Sequence, residues 1–211
     1  MRMRRPTSIL MAIAMVIGVA GPVSGANPAT DGAGLTEVIA RASDQYAAFN
    51  ALNAREQQAV LDYTSLAYVT TQVSPVTQVS RPTSAVPGPT SALVSAAAVK
   101  CWTWTWGRAA RNLAGLTVWE FTQRIDWCGD GATITNVPFR RVIGAPKLLW
   151  WSYEGLVGDT TGGGKGFATY RSFVQGKFIY RPPISQLNQD NFPWLDMTAR
   201  ANGAGTGSGG G

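Results

Sequence analysis

Both cysteines of the chain and five of its eight tryptophans fall within residues 100–128, KCWTWTWGRAARNLAGLTVWEFTQRIDWC. Two runs rich in β-branched and aromatic residues flank a turn-forming centre at Asn112-Leu113-Ala114-Gly115. The segment is therefore expected to be a β-hairpin whose open end is closed by a disulfide between Cys101 and Cys128. Side chains alternate between the two faces of a strand, and a disulfide needs its Cβ atoms within ~4.5 Å, hence on one face. With Cys101 opposite Cys128, the side chains of Asp126, Arg124, Thr122 and Glu120 share the cysteine face. Trp102, Trp104 and Trp106 then share the other face with Trp119, Phe121, Ile125 and Trp127. Asp130-Gly131 is the clearest two-residue hairpin turn in the chain, and extending through it pairs Cys128 with Thr133 and Trp127 with Ile134.

One face of this hairpin is apolar and the other polar, as in a sheet covered on one side. The favoured reading of its tryptophans is core, with a sugar-stacking platform and a partner interface as alternatives. A turn of two or four residues keeps the cysteines in phase, whereas three would need a compensating bulge. Closing a loop of ~26 residues should stabilise the fold by roughly 3 to 4 kcal/mol on the chain-entropy account.

Short segments of the same kind recur downstream, near 132–139, 148–157, 166–175, 176–182 and 194–201. Together with the hairpin strands at 100–108 and 116–128 they predict an antiparallel β-sandwich, or a barrel-like relative, of about seven strands over residues 92–200. Gly162-Gly163-Gly164 marks a flexible loop, and Pro182-Pro183 opens a longer irregular crossing. Upstream, residues 27–69 form a helical region. Between 35 and 69 there is neither Gly nor Pro, and Ile39, Ala42, Tyr46 and Phe49 recur at helical spacing, as do Ala59, Tyr63 and Leu66. Asn53 with Glu56 has the spacing of a capping box, which predicts helices at about 36–52 and 53–68. A pair this small cannot bury enough surface on its own; it docks on the β domain, is a removable prosegment, or is loosely ordered. Residues 70–91 have the Pro, Ser and Thr content of an extended linker, and the Gly-rich stretch 201–211 that of a disordered tail.

Residues 1–26 combine Arg2, Arg4 and Arg5, an apolar run from Ile9 to Ala20 and the small residues Ser24-Gly25-Ala26. This is the pattern of a cleaved secretory signal peptide, and the run is short of the ~20 residues a retained membrane anchor needs. Three of the eighteen basic residues and none of the twelve acidic ones lie in it, so the formal charge of +6 falls to +3 on cleavage. No basic cluster larger than Arg140-Arg141 remains, which argues against a nucleic-acid partner. The expected location is secreted, extracellular or cell-surface associated, with no integral membrane anchor after cleavage. In that oxidising setting a cysteine pair reads as a disulfide.

The chain has no histidine, which removes the usual base for a serine or cysteine nucleophile and leaves a structural zinc site short of ligands. No cofactor or metal is expected. The run from Gly158 to Gly166 fails as a phosphate loop: Asp159 stands where the first glycine belongs, and Gly166 replaces the magnesium-binding Ser or Thr. Carboxylate pairs remain, as in glycoside hydrolysis, with Glu120, Asp126, Asp130, Glu154 and Asp159 as candidates. Glu120 and Asp126 are six residues apart in one strand, ~20 Å, too far to act as a pair. No catalytic residue is assigned. Trp150 and Trp151 are consecutive, so a strand would turn one of them outward. With Tyr153 and Trp194 they are the candidate contacts to an extracellular glycan or protein.

Cys101 with the tryptophans that follow it, Gly115-x-Thr117-x-Trp119-x-Phe121, Trp127-Cys128-Gly129-Asp130-Gly131 and the closing Pro193-Trp194 together form a pattern. It resembles small secreted actinobacterial proteins of uncharacterised function. The resemblance covers residues 100–200, excludes the helical region, and implies no activity to carry over. Such proteins often have a second cysteine pair toward the C-terminus; its lack here implies later strands held less firmly. The functional expectation is a non-enzymatic binding or interaction module. A carboxylate-dependent hydrolase of cell-wall or environmental polysaccharide and a structural or coat protein are the alternatives.

Overall fold

The computed structural model describes residues 28–80 and 98–211; the expected signal peptide and residues 81–91 of the expected linker lie outside the described residues. Three short helices lead the fold: α1 (Pro28–Arg41), α2 (Gln45–Asn50) and α3 (Ala54–Thr64). The first expected helix is broken at residues 42–44, where Asp44 caps α2 by accepting a hydrogen bond from Ala47 N. The capping box is present: Asn53 Oδ1 accepts from Arg55 and Glu56 N, and Glu56 returns a carboxylate oxygen to Asn53 N. The last helix ends at Thr64, earlier than expected, because the chain turns there into the first strand.

Two antiparallel sheets pack face to face as a β-sandwich. The first holds β1 (Tyr68–Val73), β2 (Thr77–Val79), β3 (Lys100–Arg111), β4 (Thr117–Gly129) and β5 (Ile134–Pro146). β1 and β2 both run along β3, so they form one edge interrupted at residues 74–76, where Pro75 has no N–H to donate. The second sheet holds β6 (Trp151–Gly163), β7 (Thr169–Tyr180), β8 (Gln189–Asn191), β9 (Trp194–Arg200) and β10 (Gly205–Gly210). Ten strands thus replace the expected seven. The segments expected at 166–175 and 176–182 are one strand, β6 runs on into the expected glycine loop, and part of the expected linker is β1 and β2.

The hairpin register is the one its cysteines require. Cys101 lies opposite Cys128 and Trp102 opposite Trp127, and the two cysteines are bonded. The turn spans five residues, 112–116, an odd number, and a bulge between Ala110 and Arg111 restores the phase. Asn112 closes that turn by accepting Leu116 N on its side chain. After β4 the expected pairing is displaced: Cys128 faces Asn136 and Gly129 faces Ile134. The reason is Asp130, whose Oδ1 accepts from both Ala132 N and Thr133 N, which builds a four-residue loop instead of a two-residue one.

The tryptophans do form core. Trp102, Trp104, Trp119 and Trp127 are buried and Trp106 is partly so. The counterpart of Trp102, Trp104 and Trp106 is the Gly-rich stretch expected to be a disordered tail. It is β10, paired with β9 throughout. A Cβ on Gly203 would stand 2.4 Å from Trp102, one on Gly205 3.0 Å from Trp104 and one on Gly207 1.6 Å from Trp106. Glycines at every second residue match tryptophans at every second residue, so the indoles lie directly on the backbone of β10 and of the turn that leads into it. Because β10 lies under β3, the β1/β2 edge overhangs the second sheet by one strand position.

The helices dock on one end of the sandwich, as the first of the three sequence alternatives has it. Ile39, Phe49, Val60 and Leu61 form a cluster against which Leu149, Trp150 and Ile184 pack. Buried hydrogen bonds fasten it: Trp151 Nε1 donates to Thr64 O (2.8 Å), and the hydroxyls of Thr64 and Tyr180 pair at 2.7 Å. None of the described helices is long and apolar enough to cross a membrane.

Candidate functional site

Three of the four aromatic candidates are turned inward. Trp151 is buried and stacks on Tyr180 at 4.9 Å. Tyr153 packs between Phe121 and Phe178, and burial raises its phenol above the ordinary range. Trp150 sits at a sharp bend with φ +65°, a left-handed conformation uncommon for a bulky residue, and its ring meets Phe49 edge-on at 5.4 Å. Its carbonyl accepts from Arg181 N, which holds the bend. Trp150 and Trp151 join the helices to the sandwich, while Tyr153 belongs to the core between the sheets.

Trp194 alone faces outward. In β9 the alternate residues Leu195, Met197 and Ala199 are buried, which places Trp194, Asp196 and Thr198 on the outer face of the second sheet. Its neighbour there is Phe173 of β7, stacked at 6.2 Å with 29° between the rings. Gly210 lies opposite Trp194 on β10, and a Cβ there would be 2.7 Å from the indole nitrogen. The missing side chain lets the ring lie across the neighbouring strand. Phe192, 41% exposed, extends the row, since the intervening Pro193 is turned inward. Lys177 Nζ stands 5.8 Å above the Phe192 ring.

Polar groups border this row. Arg171 and Asp196 form a two-pronged ion pair, and the carboxylate raises the guanidinium pKa above its ordinary value. Beside Phe173 is a hollow of about 290 Å³ lined also by Thr160, Thr161, Gly162 and Arg171. Farther along, Asp190 receives Arg181 and Lys177; hydrogen bonds from Arg181 and then Lys177 hold its carboxyl below the usual range. Partly exposed rings flanked by hydroxyl, amide and ionic groups suit a ligand with one apolar and one polar side. Phe173 and Phe192 were missed in sequence. The legible signal was Trp194 with Leu195 and Met197 alternating beside it; the partners are brought from another strand and from a loop.

The carboxylate candidates are each engaged elsewhere. Glu120 pairs with Lys147 at 3.3 Å, Asp126 with Arg124 at 2.9 Å and Asp159 with Arg140. Asp130 is held below the ordinary carboxylate range by hydrogen bonds from the Thr133 and Ala132 backbone, and Glu154 accepts from Ser152 Oγ at 3.0 Å. Among the described residues no group of three or more carboxylates and thiolates gathers as a metal site. No family model, curated protein or solved structure matches the chain.

Proposed function

We propose that this is an exported, non-enzymatic binding module that acts at or outside the cell surface and holds a glycan against the outer face of its second sheet. The observation that carries the reading is the row of Phe173, Trp194 and Phe192, partly exposed on the outer side of the second sheet and bordered by the Arg171–Asp196 pair. A pyranose ring has one apolar face of C–H bonds that stacks on an aromatic ring and a rim of hydroxyls that such polar groups can meet. Two of the three rings, Phe173 and Trp194, are fixed on strands and lose little freedom on binding. The engagement of all five candidate carboxylates in turns, ion pairs or local hydrogen bonds supports binding over hydrolysis. The pattern of residues 1–26 and the Cys101–Cys128 disulfide support export.

A glycan array together with a pull-down from cell-wall extract tests the proposal. Wild-type protein should retain a glycan, and Trp194→Ala should abolish retention while leaving the thermal midpoint within a few degrees. Absence of binding in both assays would sink the reading.

A further inference from the structure

The two sheets have four lateral margins, and three are blunted in the usual ways. Pro75 interrupts the β1/β2 edge, β5 carries Pro138, Arg140, Arg141 and Pro146, and β6 bulges twice against β7. The fourth margin is β10, with no proline, charge or bulge. Arg200 N donates to Ala204 O at 2.8 Å, and hydrogen-bonded pairs recur at every second residue of an antiparallel ladder. The peptide groups of Thr206, Ser208 and Gly210 therefore face β9, and those of Gly205, Gly207 and Gly209 face away from it.

Beside that edge the β1/β2 overhang forms a roof beneath which no strand lies among the described residues. Val73, 54% exposed, is on its underside opposite Trp106, and Thr71 opposite Arg108. The Arg108 side chain passes over Gly209, and its Nη1 reaches Thr71 Oγ1 at 2.9 Å. Arg108 has no carboxylate partner among the described residues, and Arg108 Nε and Trp106 Nε1 are buried without acceptors. The slot thus offers a ladder of backbone groups and a cation.

We propose that the open edge of β10, with Arg108 beside it, receives an extended acidic segment of a partner polypeptide as an added strand. Charge complementarity selects an acidic segment, and β-augmentation supplies main-chain hydrogen bonds. A second copy joined β10 to β10 does not fit: the β1/β2 roof of one copy would occupy the place of the other's β3. The slot uses the free edge of β10 and the Trp194 row its outer face, so the two sites share a strand but engage different groups, and each proposal can fail without the other.

The test is amide hydrogen exchange by NMR on the disulfide-bonded protein. The probe is a pool of peptides of about eight residues, alternating Val and Thr, with Glu at each position in turn, and a second pool carrying Gln instead. In the free protein the Gly205, Gly207 and Gly209 amides should exchange fast. The Glu pool should slow them, with affinity about tenfold weaker for the Gln pool or for Arg108→Met, as loss of a charge-assisted hydrogen bond implies. Trp194→Ala should leave the effect intact. No slowing with the Glu pool, or equal affinity for the two pools, would overturn the proposal. So would amides already protected in the free protein, whether independent of concentration, by a segment of the same chain, or rising with it, by a second copy.

Discussion

At Gly207 the backbone lies so close to Trp106 that a methyl group would stand 1.6 Å from the ring. Gly207→Ala should therefore destabilise the protein by about 3 kcal/mol, the upper range for overpacking, in urea titration. Ser208→Ala, on the outer face of the same strand, should change stability by less than about 0.5 kcal/mol. The contrast separates a packing role for glycine from a general effect of lost flexibility. It also accounts for the difference from the expected disordered tail: composition alone says disorder, and only spacing carries the signal. Glycines at 203, 205, 207 and 209 repeat with the period of Trp102, Trp104, Trp106 and Arg108, a match visible only when two segments far apart in sequence are compared. Trp150 illustrates the opposite difficulty. Nothing adjacent to it in sequence announces its left-handed backbone, which the docking of Phe49 and the hydrogen bond from Arg181 determine.

Elements with local causes were the most legible. The cysteine pairing and alternation set the β3–β4 register, and the Asn53–Glu56 box set the start of α3; Asn53→Ala should lower stability by about 1 kcal/mol in denaturant titration. Where a side chain recruits backbone groups, as Asp130 does, loop length shifts and the register after it shifts too. Asp130 and Asp190 both titrate below the ordinary carboxylate range when folded. A carboxyl with a depressed folded pKa contributes its full stability above the unfolded value, and that contribution is lost as pH falls through the folded one. The thermal midpoint should therefore hold between neutral pH and about pH 5 and decline below about pH 4. Asp190→Asn should lower the neutral-pH midpoint and flatten that decline; parallel acid profiles for the two proteins would refute the assignment.

The whole molecule is a sandwich closed at one end by helices, with a disulfide tying two neighbouring strands of its first sheet. Cys101→Ala with Cys128→Ala removes a cross-link spanning 27 positions and should lower stability by roughly 3 to 4 kcal/mol, read as a shifted urea midpoint. Deleting residues 28–64 would remove the acceptor of Trp151 Nε1 and the hydroxyl partner of Tyr180. The truncated protein should bind a hydrophobic dye and melt at lower temperature than the intact chain. This arrangement was beyond the reach of sequence because periodicity names a helix's apolar stripe without naming what covers it. The indole ladder has an optical consequence as well. Trp102 and Trp127 lie 5.9 Å apart, and Trp104 and Trp106 5.4 Å apart, at fixed tilts of 30° and 53°. Transition dipoles this close exchange excitation, so the ultraviolet circular dichroism of the folded protein should carry a pair of bands of opposite sign from coupled indoles, and their collapse would mark the moment the ladder comes apart.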